Sequence, residues 1–232
     1  MKTAGIIGGI GPESTIEYYR LIIAAYRQQK PDGSYPSFLI NSIDMTKMLD
    51  LIEANELVAV TEYLLREVQK LAKAGADFGA LASNTPHLVF DALRRQSPIP
   101  LVSIVETACE AVKAIGLKRV GLLGTRFTMQ GRFYADVFSR AGITLVVPTM
   151  DEQAYIHSKY MSELVKGLVL AETRERLLAI VDRLTENEGI SGLILGGTEL
   201  PMILGGATGA GIPFMDTTRI HVERIVAQIL SP

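Results

Sequence analysis

Short runs of consecutive apolar residues, each closing on glycine or a small polar residue, alternate along the chain with longer stretches whose apolar residues recur every three or four positions. Residues 4–9, AGIIGG, are the first such run, and IEYYRLIIAAYRQQ after it has helical spacing, with Ser14 or Thr15 placed to cap it. A turn-rich break from Lys30 to Pro36 precedes a second run, FLINSID, which ends at Asp44. Helical spacing then extends from Glu53 to Ala74, is stopped by Gly75, and leads into FGALASNTPH. Strands apolar throughout, separated by helices, predict a parallel sheet covered on both faces.

The second half repeats this order. GLLGT at 121–125 echoes GIIGG at 5–9 with an offset of 116, and GLILGGTE at 192–199 echoes GALASNTP at 79–86 with an offset of 113. Between them FTMQGRFYADVFSRAG and ELVKGLVLAETRERLLAIVDRLTENEG read as helices, and TTRIHVERIVAQIL reads as a last amphipathic helix after a short strand-like passage from Gly211 to Phe214. Pro98 and Pro100 mark a boundary. The expected architecture is α/β: two internally duplicated, mostly parallel-sheet domains at 1–100 and 101–212 with an active-site cleft between them. Residues 213–232 are expected to pack back on the first domain.

Composition narrows the class of partner. The chain of 232 residues is 48% apolar and 21% charged, enough to build its own core, and its formal charge of −2 provides neither a nucleic-acid groove nor a polybasic membrane patch. Cys109 is the only cysteine, so no intrachain disulfide forms and a reducing compartment is the simpler home. No run reaches the length of a membrane span, and the N-terminal segment lacks the layout of a secretory signal. These features predict a cytoplasmic protein with a small-molecule partner.

In a parallel sheet the carboxyl ends of the strands meet helix N-termini, whose free N–H groups favour an anion. Here those ends carry Gly8 to Ser14, Asp44, Ser83-Asn84-Thr85, Gly124-Thr125 and Gly197-Thr198-Glu199. Such a set suits a small carboxylate. GGIGPEST lacks the last glycine of a dinucleotide fingerprint, because Ser14 stands there and Pro12 interrupts, so a tight turn around Gly11 shaping an acid-binding loop is the better reading. His87, just past a strand end, either binds substrate or donates a proton near neutral pH, or else lies on a helix surface or cap. Glu199 is a binding or acid/base carboxylate, or else it caps the next helix or supports the residues that meet the ligand, and Asp44 carries the same ambiguity. His157 and His221 have no metal-ligand spacing with His87.

MKTAGIIGGIGPEST, NSID, SNTPH, GLLGTRFTM, GGTELP and PFMDTTRIH, in this order, resemble the aspartate/glutamate racemase family over essentially the whole chain. The resemblance implies two duplicated α/β domains, no cofactor and no metal, a homodimer, and inversion at Cα of a small amino acid by a pair of thiols. The two positions that the family gives to those cysteines hold Ser83 and Gly197, so the two-thiol reaction is absent from this sequence. A related branch, the arylmalonate decarboxylases, keeps glycine at one position but retains cysteine at the other.

By the same resemblance Asn84, Thr85, Thr125 and Thr198 bind the substrate α-carboxylate or position its amino group. Lys47 stands in the segment where relatives selective for acidic amino acids often carry arginine, and it lacks arginine's bidentate fork. The expectation is a racemase-like protein, impaired at its acid/base pair, that recognises a small and nominally acidic amino acid. The competing classes are a non-catalytic small-carboxylate binder and a diverged decarboxylase or lyase using His87 or Glu199.

Overall fold

The computed structural model describes residues 1–205 and 211–232, and the chain divides into two compact units, 1–104 with 218–232, and 105–217. The first unit contains β1 (Ala4–Gly8), α1 (Pro12–Gln29), β2 (Phe38–Ser42), α2 (Met45–Glu53), α3 (Leu57–Lys73), β3 (Phe78–Leu81), α4 (Phe90–Gln96) and β4 (Leu101–Val102). After α5 (Ile104–Ala114) come β5 (Arg119–Gly124), α6 (Arg126–Gln130), α7 (Arg132–Arg140), β6 (Thr144–Val146), α8 (Met150–Ser162), α9 (Ala171–Glu188), β7 (Leu193–Gly196), α10 (Leu200–Leu204), β8 (Phe214–Asp216) and α11 (Thr217–Leu230). Among the described residues every strand pairing is parallel, in sheets ordered β2-β1-β3-β4 and β6-β5-β7-β8.

The two sheets therefore share one topology, and their registers correct the offset read from the sequence. Ile7 pairs with Leu81 in the first sheet and Leu123 with Leu195 in the second. Leu81 is thus the counterpart of Leu195, an offset of 114 where the echo of small residues suggests 113. Ser83 and Gly197 each lie two residues beyond these paired leucines and are topological equivalents.

The first core packs Tyr18, Ile22 and Tyr26 of α1 against Ala4, Ile6, Phe78 and Ala80 of the sheet, with Val222, Ile225, Val226 and Ile229 of α11 completing it. His221 locks that helix in place: its Nε2 lies 3.2 Å from the Val102 carbonyl and its Nδ1 2.7 Å from the Tyr18 hydroxyl. Nε2–H donates to the carbonyl, and in the neutral ring that burial favours Nδ1 accepts from the phenol. The second core joins α8 and α9 to β7, through Ile156, Tyr160, Leu177, Ile180, Val181, Leu184, Leu193 and Leu195. Residues 214–216 pair with β7, so this strand belongs to the second sheet, separate from the helix that follows.

Several helix boundaries differ from the expected ones for local reasons. α1 starts at Pro12 with Gly11 as its N-cap, because proline at the first helical position needs no donor and has its φ already set. Neither Ser14 nor Thr15 caps it. Asn55 at φ 57° separates α2 from α3, so the helix expected from Glu53 begins at Leu57. Gly131, extended at ψ 144°, divides the helix expected at 127–142. A 3₁₀ turn at Leu164–Lys166, closed by left-handed Gly167, replaces the first part of the helix expected from Glu163.

Candidate functional site

In the first unit the loop after β1 is shaped by its own helix. Thr15 Oγ1 accepts the Gly9 N–H at 2.8 Å and donates to the Gly11 carbonyl at 3.2 Å, tying the loop to the first turn of α1. Gly9 is required here: its φ is +81°, and a Cβ would run into the Ile43 backbone. Replacing Thr15 by valine keeps the volume but leaves a loop N–H unbonded. This change is expected to cost about 1–2 kcal/mol in urea unfolding, with Thr15→Ser close to the parent.

β3 ends at Leu81, and Ser83, Asn84 and Thr85 follow it, all buried, leading into a 3₁₀ turn at Thr85–Val89. His87 lies in that turn, 3% exposed and stacked on Phe90 with ring centroids 4.5 Å apart. Burial, and then repulsion from His221, push its pKa down to about 3 against the opposing effect of the Ser83 and Asn84 backbone. The ring is neutral at pH 7 and titrates far below the range in which the sequence placed a proton donor. Its burial also rules out the helix-surface reading.

Asp44 resolves to a cap. It is exposed, and its carboxylate accepts from the backbone N–H groups of Thr46 at 2.9 Å and Lys47 at 3.3 Å, at the N-terminus of α2. Lys47 is exposed, with its ammonium 5.0 Å from the Tyr63 ring centroid. The charge expected to meet a ligand side chain thus lies over an aromatic face within its own unit.

In the second unit Thr125 caps α6, its Oγ1 accepting the Thr128 N–H at 3.3 Å. β7 runs into Gly197, Thr198 and Glu199, and Glu199 is 2% exposed. Thr198 Oγ1 donates to Glu199 Oε2 at 2.8 Å, and the hydroxyl of Tyr160, a residue of α8, donates to the same oxygen. A Cβ built on Gly197 would lie 2.5 Å from Tyr160 Cε2 and 2.8 Å from its hydroxyl oxygen. The phenol ring occupies the space into which a side chain at 197 would grow.

No pattern in the sequence singles out Tyr160, which is 39 residues from its partner Glu199. One signal for its helix was present: Thr149-Met150-Asp151-Glu152 is a capping box, and both of its reciprocal bonds form. From that start, Gln153, Ile156 and Tyr160 make the buried face. Burial, and then the charge of Glu199, hold the Tyr160 phenol well above its ordinary range, so it is a protonated donor at neutral pH. Cys109 lies on α5, with its thiol raised by burial. Among the described residues no group of three or more His, Cys, Asp or Glu is arranged to hold a metal, and no helix is long and apolar enough to cross a membrane.

Comparison with known proteins gives one consistent result. The chain is similar to the broad specificity amino-acid racemase RacX of Bacillus subtilis, 29% identical over 174 residues that span 72% of this chain and 69% of the relative. An aspartate racemase homologue from Pyrococcus horikoshii superimposes with a TM-score of 0.85 at 33% identity, over 100% of both chains. Picrophilus torridus aspartate racemase shares the fold, with a TM-score of 0.79 at 20% identity over 99% of this chain and 94% of that one. Residues 7–225 match the model of the Asp/Glu/Hydantoin racemase family, and with two duplicated parallel-sheet units behind that match, the chain belongs to this family.

Proposed function

We propose that this protein binds a small amino acid through its α-carboxylate, as a racemase-family member in which inversion at Cα by two thiols is not available. Asn84, Thr85 and Thr125 serve the α-carboxylate, Thr198, whose hydroxyl proton is given to Glu199, accepts from the ligand's amino group, and Ser83 and Gly197 stand where the family's thiols are expected. The observation that carries this reading is the Tyr160 ring against Gly197, because the chain has filled the space a thiol would need. Serine at 83 adds no substitute, since a hydroxyl without a positioned base is far less acidic than a thiol. A cytoplasmic homodimer that needs no added cofactor accompanies this reading, and sedimentation velocity tests its oligomeric part.

Binding is tested by calorimetric titration with both enantiomers of alanine, aspartate and glutamate. Thr85→Ala or Thr198→Ala is expected to weaken the best ligand about tenfold, as for loss of one hydrogen bond to a charged group. Unchanged affinity in both variants would remove them from the shell. The absence of saturable binding by any amino acid would end the substrate reading.

A further inference from the structure

We propose that Tyr160 is the proton-transferring group of the second unit's strand-end site, its hydroxyl standing in for the side chain that Gly197 lacks and Glu199 accepting the proton behind it. The inference rests on the reading that a small amino acid binds this protein. It is carried by a coincidence of position and bonding. The Tyr160 oxygen lies 2.8 Å from where a residue-197 Cβ would be, at the end of β7 where Thr198 and Glu199 follow. A phenylalanine would fill that space as well. The hydroxyl instead bonds a carboxylate that is 2% exposed, and Thr198 donates to the same carboxylate oxygen. Burying a carboxylate costs several kcal/mol unless it is hydrogen-bonded, and the hydroxyls of Tyr160 and Thr198 supply those bonds.

The transfer balances without any further reactant. When the Cα–H bond breaks, its electron pair stays on the substrate as a carbanion stabilised by the adjacent carboxyl group. The proton joins the phenol oxygen while the phenol's own proton passes to Glu199 Oε2. Running the steps backward returns a proton to Cα. A single relay of this kind exchanges the Cα hydrogen with solvent whether or not configuration inverts.

The test uses the full chain in D₂O with the same amino-acid panel, following loss of the Cα proton signal by NMR at saturating ligand, with affinity measured in parallel. The parent protein is expected to incorporate deuterium. Tyr160→Phe, which keeps the ring, is expected to lower the exchange rate about 100-fold with affinity changed less than about threefold, and Glu199→Gln is expected to do the same. A packing role would alter stability and leave this split untouched. As a positional check, Gly197→Cys added to Tyr160→Ala is expected to recover exchange that Tyr160→Ala alone has lost.

Exchange at the parent rate in Tyr160→Phe would overturn the relay. Binding without exchange in the parent protein would overturn the relay alone, whereas absence of binding would overturn the substrate reading and the relay together.

Discussion

Between pH 6.5 and pH 4.5 the protein is expected to lose roughly 5 kcal/mol of folding stability through two buried histidines. His221 is fully buried and His87 is 3% exposed, and burial is the main cause that brings their folded-state pKa values down to about 4 and about 3. In the unfolded chain both return to about 6.5. Above that pH both states are neutral and the histidines contribute no pH dependence. Below it the unfolded chain takes up protons that the folded chain refuses, so stability falls with pH until the folded values are reached. Each ring accounts for about 2–3 kcal/mol over this window.

Carboxylates held low by ion pairs, such as Glu163 beside Lys159, add their losses only below the ordinary carboxylate range, which separates them from the histidines. Urea unfolding at pH 7.0, 5.5 and 4.5 measures the slope directly. His221→Gln is expected to flatten it by about half whatever its absolute stability. A slope near zero in the parent protein would mean that neither ring is held neutral in the folded state.

The second large effect is a restoration that fails until its obstacle is removed. Ser83→Cys with Gly197→Cys would place a thiol at each strand end, yet the new Cβ at 197 would sit 2.5 Å from a ring carbon of Tyr160. That ring is 5% exposed and tied to Glu199, so it has little freedom to yield. Gly197→Cys alone is expected to cost about 1–3 kcal/mol in stability. Combining it with Tyr160→Ala is expected to be less costly than the sum of the single changes, a coupling of about 1 kcal/mol or more in a double-mutant cycle.

Racemisation, followed by optical rotation or chiral chromatography, is expected only in the triple variant Ser83→Cys/Gly197→Cys/Tyr160→Ala. Its rate should exceed that of the two-thiol variant by about 100-fold or more. Equal rates in the two variants would show that Tyr160 does not block the thiol. This comparison asks a different question from the deuterium exchange of the parent protein, because it reads inversion, which needs two proton-transferring groups.

The strand ends that form the candidate site are legible because such ends in a parallel sheet are marked locally. GIIGG, SNTPH, GLLGT and GGTELP each carry an apolar run that must be buried and a small or polar residue where the backbone turns, and both patterns survive in the sequence without tertiary information. Asp44 was ambiguous for the same local reason, since a cap and a ligand-binding carboxylate look alike until the backbone N–H groups of Thr46 and Lys47 are seen to converge on it. Helix bounds were less legible. Gly131 and Gly167 interrupt apolar spacing that by itself continues through them, and a glycine's conformation is chosen by what the chain must reach next.

By itself, then, the sequence determined the two repeated α/β units, the small-residue strand ends and the absence of thiols at Ser83 and Gly197, because periodicity and residue type are properties of neighbours along the chain. Tertiary structure alone decided that Leu81 and Leu195 are counterparts, that His87 and His221 are buried and neutral, and that Tyr160 stands against Gly197 with its hydroxyl on Glu199. These facts depend on strand register, on desolvation by residues far away in sequence, and on where the helix capped by Thr149 delivers its third turn. None of them has a signature that a local pattern can hold, since each is set by the packing of one element against another.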